Sequence, residues 1–264
     1  MKYRYIILLV LLTPSILIAQ IINIDRENSQ DSITKRWEIS TLIDFSSDKQ
    51  VKDLLDLSLK SSLLMKYSNK YAINFIVNND IVLDGKSTIQ NEGMLHLRYR
   101  DLDSRKVSSE VYLQYQWNGA WGMISRYVMG SNVRYRIFDE TSTDLYAGLG
   151  LFYENERWNW EGVEPDITPV DAGEETRQVF RLNNYWKTSK KLSDFADIAA
   201  ITYFQFPFNQ NFLKPRWYFE VNTYFKASKH LNLVIHWDHV LDFAPLMPID
   251  HFYYSYSTGL QLNF

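Results

Sequence analysis

Apolar and polar residues alternate in segment after segment along this chain. In the last segment, 252–264, the aromatic and aliphatic residues apart from Tyr253 share one parity, while Ser255, Gln261 and Asn263 share the other. Because side chains alternate between the two faces of a strand, each segment predicts a β-strand with one apolar and one polar face. Taken alone, such a strand also suits the edge of a soluble sandwich. Its other interpretation is a strand of a membrane barrel, with lipid outside and water inside.

About twelve such segments follow residue 36, and bacterial barrels have an even number of strands. The clearest predicted strands before the closing one span 36–45, 53–67, 196–206, 216–225 and 231–241. Brief polar turns are predicted at 68–70, 101–105, 140–143, 188–192 and 227–229. The intervening connections, which are more varied, are predicted at 46–52, 84–91, 118–122, 159–173, 208–214 and 244–250. Brief turns thus alternate with more varied connections from one strand to the next. This alternation favours an all-β, transmembrane, antiparallel up-and-down barrel with a polar lumen.

Aromatic residues make up 16% of the chain, yet the mean hydropathy is only −0.29. An aromatic excess without overall hydrophobicity is typical of a barrel whose rings lie at the membrane–water boundaries. The predicted aromatic anchors are Trp37, Trp117, Trp158, Trp186, Trp217, Trp237 and Phe264.

The N-terminus has the layout of a secretory signal. Lys2 and Arg4 precede an apolar run over 5–12, and a Pro-Ser break leads to Ala19. We therefore expect a signal peptide at 1–19, a periplasmic lead-in at 20–34 and the barrel at 35–264. A membrane anchor would need about 20 apolar residues, which this run lacks. The region around Ala19 also resembles, in composition, exported proteins of Bacteroidetes-type bacteria.

Several classes are disfavoured by what the sequence lacks. Without cysteine there is no lipid anchor on a cysteine and no disulfide framework. After Gln20 no continuous apolar stretch is long enough for a spanning helix, so a mature chain that enters a membrane must do so as a barrel. The net charge is −3 with no basic stripe, which gives no support for nucleic-acid binding. The expected partners are outer-membrane lipid and small solutes.

The polar faces of the strands carry many charged residues. The predicted lumen charge cluster is Arg98, Arg100, Glu110, Arg126, Arg134, Arg136, Glu154, Glu156, Arg177, Arg181, Arg216, Glu220 and Asp238. In a narrow lumen, arginines and carboxylates can form bidentate pairs that lock the interior. Two interpretations stay open here: a structural plug of salt bridges, and a charged constriction that selects small solutes.

His236 and Asp238 share the inward parity of the eleventh predicted strand. They predict an acid/base pair for an alternative function, a barrel hydrolase or protease, with Glu154 and Glu156 as a further carboxylate pair. His239 is expected to face lipid, where no serine has a plausible partner. Metal-ligand spacings, phosphate loops and nucleophile elbows are absent, so we predict no metal, no cofactor and no enzyme.

Trp158, Asn159 and Trp160 open an acidic connection, which is the most distinctive exposed stretch. Aromatic residues beside acids can bind sugars or a protein partner, so a surface adhesin acting through 159–173 is a further alternative. Such tryptophans more often anchor a membrane interface.

The centre of the chain resembles a known family. The runs NEGMLHLRYRDLD, EVYLQYQWNGAWGMISRYVMGSNVRYRI and LYAGLGLFYENERW, with the later RLNNYWK, ITYFQFP and STGLQLNF, are similar to the DUF481 family of salt-induced outer-membrane proteins. The resemblance covers roughly 36–264 and implies a Gram-negative outer-membrane barrel, either structural or weakly pore-forming. The family has no established catalytic residues to transfer. The chain departs from its pattern at 123–125 and in the acidic connection after Trp158.

The closing strand ends on Phe264 without a polar tail. It is expected to pair with the first strand near 37–45 and so to seal the barrel. A terminal aromatic strand also resembles the signal read by the outer-membrane assembly machinery, which makes that machinery a predicted partner.

Overall fold

The computed structural model of the chain describes residues 36–49, 53–68, 70–84, 87–101, 106–140 and 142–264. In these residues twelve antiparallel strands close into one barrel, each strand pairing with its neighbour in sequence and the first with the last. The predicted fold and strand number are therefore confirmed. The predicted signal peptide and lead-in lie outside the described residues. No described helix has the length and apolar character needed to cross a membrane.

The strands are β1 (Trp37–Lys49), β2 (Asp53–Ser68), β3 (Tyr71–Asp84), β4 (Ser87–Asp101), β5 (Val107–Asn118), β6 (Met123–Glu140), β7 (Thr143–Trp158), β8 (Glu175–Lys191), β9 (Ala196–Pro207), β10 (Arg216–Lys226), β11 (Leu231–Asp242) and β12 (Phe252–Asn263). Short 3₁₀ turns occupy Gly119–Trp121 and Pro165–Ile167. We call the end that carries the connections after β1, β3, β5, β7, β9 and β11 the upper end.

Some strands are longer than predicted. The β1–β2 ladder continues in register from the pair Trp37–Met65 to the pair Lys49–Asp53, so 46–49 are strand rather than connection. Strand β4 likewise begins at Ser87, and β8 runs to Lys191. Local polar composition suggested turns there, but pairing with a neighbouring strand satisfies the same backbone groups. The expected difference between long and short connections consequently holds only from 159–174 onward.

The barrel closes where predicted. Strand β12 pairs with β1 through four residue pairs, which run from Ser40–Asn263 to Ile43–Leu260. Beyond them, the Phe264 N–H donates to the Ile39 carbonyl oxygen at 2.9 Å, and the Ile39 N–H donates back at 3.3 Å. The last residue of the chain therefore completes the seam.

The two faces of the strands differ as the alternation predicts. Outward residues such as Leu113 and Met129 are 50% and 58% exposed, whereas the inward Arg98 is 4% exposed. An apolar exterior around a polar interior is the reverse of a soluble sandwich. The soluble alternative is therefore wrong.

Glycines on the inner wall make room for rings that cross the lumen. The Tyr112 ring lies over Gly130, and the Tyr185 ring lies over Gly148, where a Cβ atom would overlap the ring. The phenol of Tyr185 thereby reaches across to Glu110 on β5, to which its hydroxyl donates at 2.9 Å. These close approaches help to fill the interior.

Candidate functional site

Glu154 lies at the centre of a buried ionic cluster, and its side chain has no solvent exposure. Its carboxylate contacts Arg126 and Arg181, and Arg216 donates to it from Nη1 at 2.9 Å. The three arginines come from β6, β8 and β10, so this one carboxylate joins strands across the lumen. Four members of the predicted lumen charge cluster are therefore in direct contact here.

Glu156 extends the network toward the upper end. Arg177 donates to it from Nη2 at 2.7 Å and from Nε at 2.9 Å, while Arg216 Nη2 lies 3.2 Å from its other oxygen. Arg216 also donates from Nε to Asp242 at 2.9 Å. The residues that we call the upper cluster are Arg126, Glu154, Glu156, Arg177, Arg181, Arg216 and Asp242.

A second group lies lower in the lumen, around Glu110. Arg98 Nη1 and Arg100 Nε lie 3.4 Å and 3.5 Å from one carboxylate oxygen, and Asn132 donates to the other at 2.8 Å. All four side chains are buried. Arg134 belongs to the same wall and stacks over the ring of Tyr146 at 3.7 Å, a cation–π contact, and Arg136 lies 6.0 Å from that ring.

His236 is part of a third group, on β10–β12. Its Nε2 lies 2.8 Å from Asp238 Oδ1, and its Nδ1 lies 2.7 Å from Asn222 Oδ1. Asn222 in turn donates to Glu220, whose other oxygen accepts from the Tyr218 hydroxyl at 2.5 Å. The predicted His–Asp pair is thus in contact, within a continuous hydrogen-bonded chain.

That geometry does not assemble a nucleophile. In a catalytic triad the serine hydroxyl donates to the histidine. Here Ser255 Oγ donates to Asp238 at 2.8 Å instead. Both ring nitrogens of His236 already have partners. The other proposed carboxylate pair, Glu154 and Glu156, is enclosed by arginines. No nucleophile–base pair forms here among the described residues.

Charges of opposite sign face each other across the lumen. The arginines lie mostly on β4–β8, whereas the opposite wall carries the inward carboxylates Asp44, Asp56, Asp80, Glu220 and Asp238. Lys60 on β2 interacts electrostatically with four of these acids. A basic wall and an acidic wall give the lumen a transverse field.

Apolar side chains roof the upper cluster. The buried members of this lid are Met123, Trp158, Val163 and Met247, with Trp121, Trp160, Leu246 and Ile249 packed against them. They come from the connections after β5, β7 and β11 and from the adjoining strand ends. The Trp121 and Tyr253 rings also meet, with centroids 4.3 Å apart. The lid therefore covers the upper cluster on the side of the upper end.

Trp158 was predicted as an interface anchor, and this assignment is wrong. Its side chain points inward and is only 4% exposed, because it shares the parity of Glu154 and Glu156. The β6–β7 register shifts between Met123 and Ser125, which leaves Ile124 unpaired and lets Met123 join the lid. The departure from the family pattern at 123–125 thus coincides with a lid element.

The other predicted anchors lie outside the lumen. Trp37, Trp186 and Trp237 are 55%, 44% and 45% exposed, and Phe264 is 58% exposed. Trp117 and Trp217 are half-buried on the same outer face. His239 also faces outward, as predicted, and is covered by neighbouring rings that include Trp217 at 4.6 Å.

Among the cavities lined by the described residues, two small ones lie in the lumen. One of about 50 Å³ lies beside Val128, Asn183 and Gln205, and one of about 40 Å³ lies between the upper cluster and the lid. Spaces of this size hold only a few water molecules.

Sequence reasoning missed the lid residues Val163, Leu246, Met247 and Ile249, because isolated apolar residues in a connection have no periodic pattern.

The fold and the interior together define a closed, twelve-stranded antiparallel barrel with an apolar exterior and a charged lumen, in which an apolar lid covers the upper cluster. This barrel is similar to the structure of the NanC porin, with a TM-score of 0.50 and 10% sequence identity. The match covers 85% of this chain and 98% of the NanC chain. The translocator domain of the autotransporter NalP from Neisseria meningitidis matches with a TM-score of 0.45 and 12% sequence identity. That match covers 91% of this chain and 90% of the NalP domain. No family model and no curated protein matches the sequence. At such identities the likeness to NanC concerns the fold.

Proposed function

We propose that the protein is a non-enzymatic outer-membrane barrel of the DUF481 type in a Gram-negative bacterium. Its lumen is closed at rest and conducts small solutes only weakly. The observation that carries this proposal is the apolar lid lying directly over the buried upper cluster. The basic and acidic walls make charged or polar solutes the class that would pass when the lid is displaced.

A membrane location is supported by the exterior of the barrel. Its outward face carries exposed aliphatic and aromatic residues on strand after strand. Monomeric soluble proteins rarely expose contiguous apolar patches beyond a few hundred Å². Closure also leaves no free sheet edge, which is what a strand structure in lipid requires.

The closed resting state is supported by how the lumen is filled. Passage would require separating Glu154 and Glu156 from their arginines inside a space that excludes bulk water. Breaking one buried pair typically costs about 3–5 kcal/mol. Passage would also require moving Trp158 and Met247, which are buried in the lid. Such a barrier favours a structural barrel with rare openings over an open pore.

A second candidate, surface binding through 159–173, is favoured by the exposure of this connection. Ile167 and Val170 project there at 54% and 102% relative exposure, beside exposed acids. The same connection supplies Val163 to the lid, so lid and surface roles must be separated experimentally.

Conductance in planar bilayers tests the proposal. We expect rare, small openings from the unaltered barrel and larger, frequent ones when 163–173 is replaced by a short Gly-Ser linker. Matched replacement of 209–213, which supplies no residue to the lid, should leave the conductance unchanged. Steady large conductance from the unaltered barrel would contradict the closed state. If shortening 163–173 abolished surface binding without changing the conductance, the second candidate would replace the first.

A further inference from the structure

The upper cluster contains more positive than negative charge. It holds four guanidinium groups, from Arg126, Arg177, Arg181 and Arg216, against three carboxylates. The side chains of Glu154 and Glu156 are fully buried, and that of Arg216 is 6% exposed. One positive charge is therefore left over inside the cluster, and an uncompensated buried charge is strongly destabilising.

The 40 Å³ cavity lies where a counter-charge would act. Arg126 and Arg216 border it on the cluster side, and Trp121 and Tyr253 border it on the lid side. Its acidic neighbours Glu156 and Asp242 already contact arginines. Asp250 also borders it, but that residue is exposed, so solvent weakens its effect on the cluster.

The walls favour a small anion over water alone. Trp158 lines the cavity, and its buried indole N–H has no hydrogen-bond partner among the described residues. The apolar lid excludes bulk water, which strengthens electrostatic interactions beneath it. A neutral water molecule would fill the space but would leave the charge unbalanced.

We propose that the cavity beneath the lid binds one small monovalent anion of the halide or formate class. Guanidinium groups of Arg126 and Arg216 hold it, and the lid separates it from bulk solvent. The size of the cavity excludes larger anions such as gluconate. The site does not depend on the proposed function, because a barrel that never conducts would need the same counter-charge.

Chloride-35 nuclear magnetic resonance on the folded barrel in detergent micelles tests this site. We expect line broadening by the unaltered protein that saturates with chloride and is displaced by formate but not by gluconate. Arg216→Gln, which makes the cluster neutral, should lose the broadening. Arg157→Gln should keep it, since Arg157 forms an exposed ion pair with Glu174 at 3.2 Å.

Two further measurements keep the test decisive if Arg216→Gln fails to fold. Arg181→Gln, on β8 rather than β10, removes the excess positive charge of the upper cluster and should also lose the broadening. Glu156→Gln increases that positive charge, so this variant should bind chloride more tightly. If the unaltered barrel broadens the chloride line no more than its heat-unfolded form, the site does not exist. The proposal would also be overturned if Arg216→Gln or Arg181→Gln broadened the chloride line as much as the unaltered protein does.

Discussion

Arg177 donates a hydrogen bond from Nη1 to the carbonyl oxygen of Ala244 at 2.9 Å. The same guanidinium donates twice to Glu156. Ala244 belongs to the connection after β11, and its N–H donates to Asp242 at 3.0 Å. The backbone of this lid segment is therefore tied to the ionic cluster beneath it, so lid and cluster should loosen together.

Arg177→Gln should release that tie. The shorter amide cannot hold Glu156 and Ala244 at once, so we expect more frequent channel openings and a lower free energy of unfolding, by about 3 kcal/mol for a broken buried pair. Bilayer recordings and heat-modified gel mobility measure the two effects. Arg157→Gln is the control, and it should change the free energy of unfolding by less than about 1 kcal/mol. Unchanged openings in Arg177→Gln would show that the lid does not depend on this tie.

Glu154→Gln should be among the most destabilising single changes in the lumen. It leaves Arg126, Arg181 and Arg216 facing each other without their shared carboxylate. We expect a loss of about 3–5 kcal/mol in the free energy of unfolding. Glu174→Gln, at the exposed pair with Arg157, serves as the matched control. Denaturant unfolding in micelles compares them, and similar midpoints would mean that the cluster contributes little to stability.

Gly148→Ala should displace the Tyr185 ring that lies over this glycine. The tyrosine would then lose its hydrogen bond to Glu110, and overpacking typically costs about 1–3 kcal/mol. Gly173→Ala, at a loop position with open space around it, is the control. The temperature of the heat-modified gel shift should fall only for Gly148→Ala. Adding Tyr185→Leu should recover part of the loss if the ring is the cause.

Deleting Phe264 should reduce insertion into the outer membrane. The residue completes the seam with Ile39, and the terminal aromatic is the predicted signal for the assembly machinery. Phe264→Tyr retains both features and should insert normally. Outer-membrane fractionation with heat-modified mobility measures the inserted fraction. Normal insertion of the deletion variant would remove this role from Phe264.

Strand parity was predictable from sequence because lipid outside and water inside impose a period of two on every strand. The inward direction of Arg126, Glu154 and Arg216 follows from that rule alone. Their contacts do not, because register and closure bring β6, β7 and β10 together only in the folded barrel. The seam between β1 and β12 was predictable because closure leaves the two terminal strands no other partner.

The lid could not be predicted in the same way. Trp158 follows the inward parity of β7, but its aromatic character suggested an interface anchor. Its true surroundings depend on Val163 and Met247, which lie in separate connections without a repeating pattern. The His236–Asp238 contact was predictable from spacing, whereas the placement of Ser255 on Asp238 required the register of β11 and β12.

Accessibility of the lumen tests the closed state most directly. The chain has no cysteine, so a single Val128→Cys places one thiol beside the inner cavity, and Gly173→Cys places a reference thiol in an open loop. With a charged methanethiosulfonate reagent, the cysteine at position 173 should react quickly. The cysteine at position 128 should stay protected until 163–173 is shortened. Equal reactivity of the two thiols in barrels with an intact lid would contradict a closed lumen.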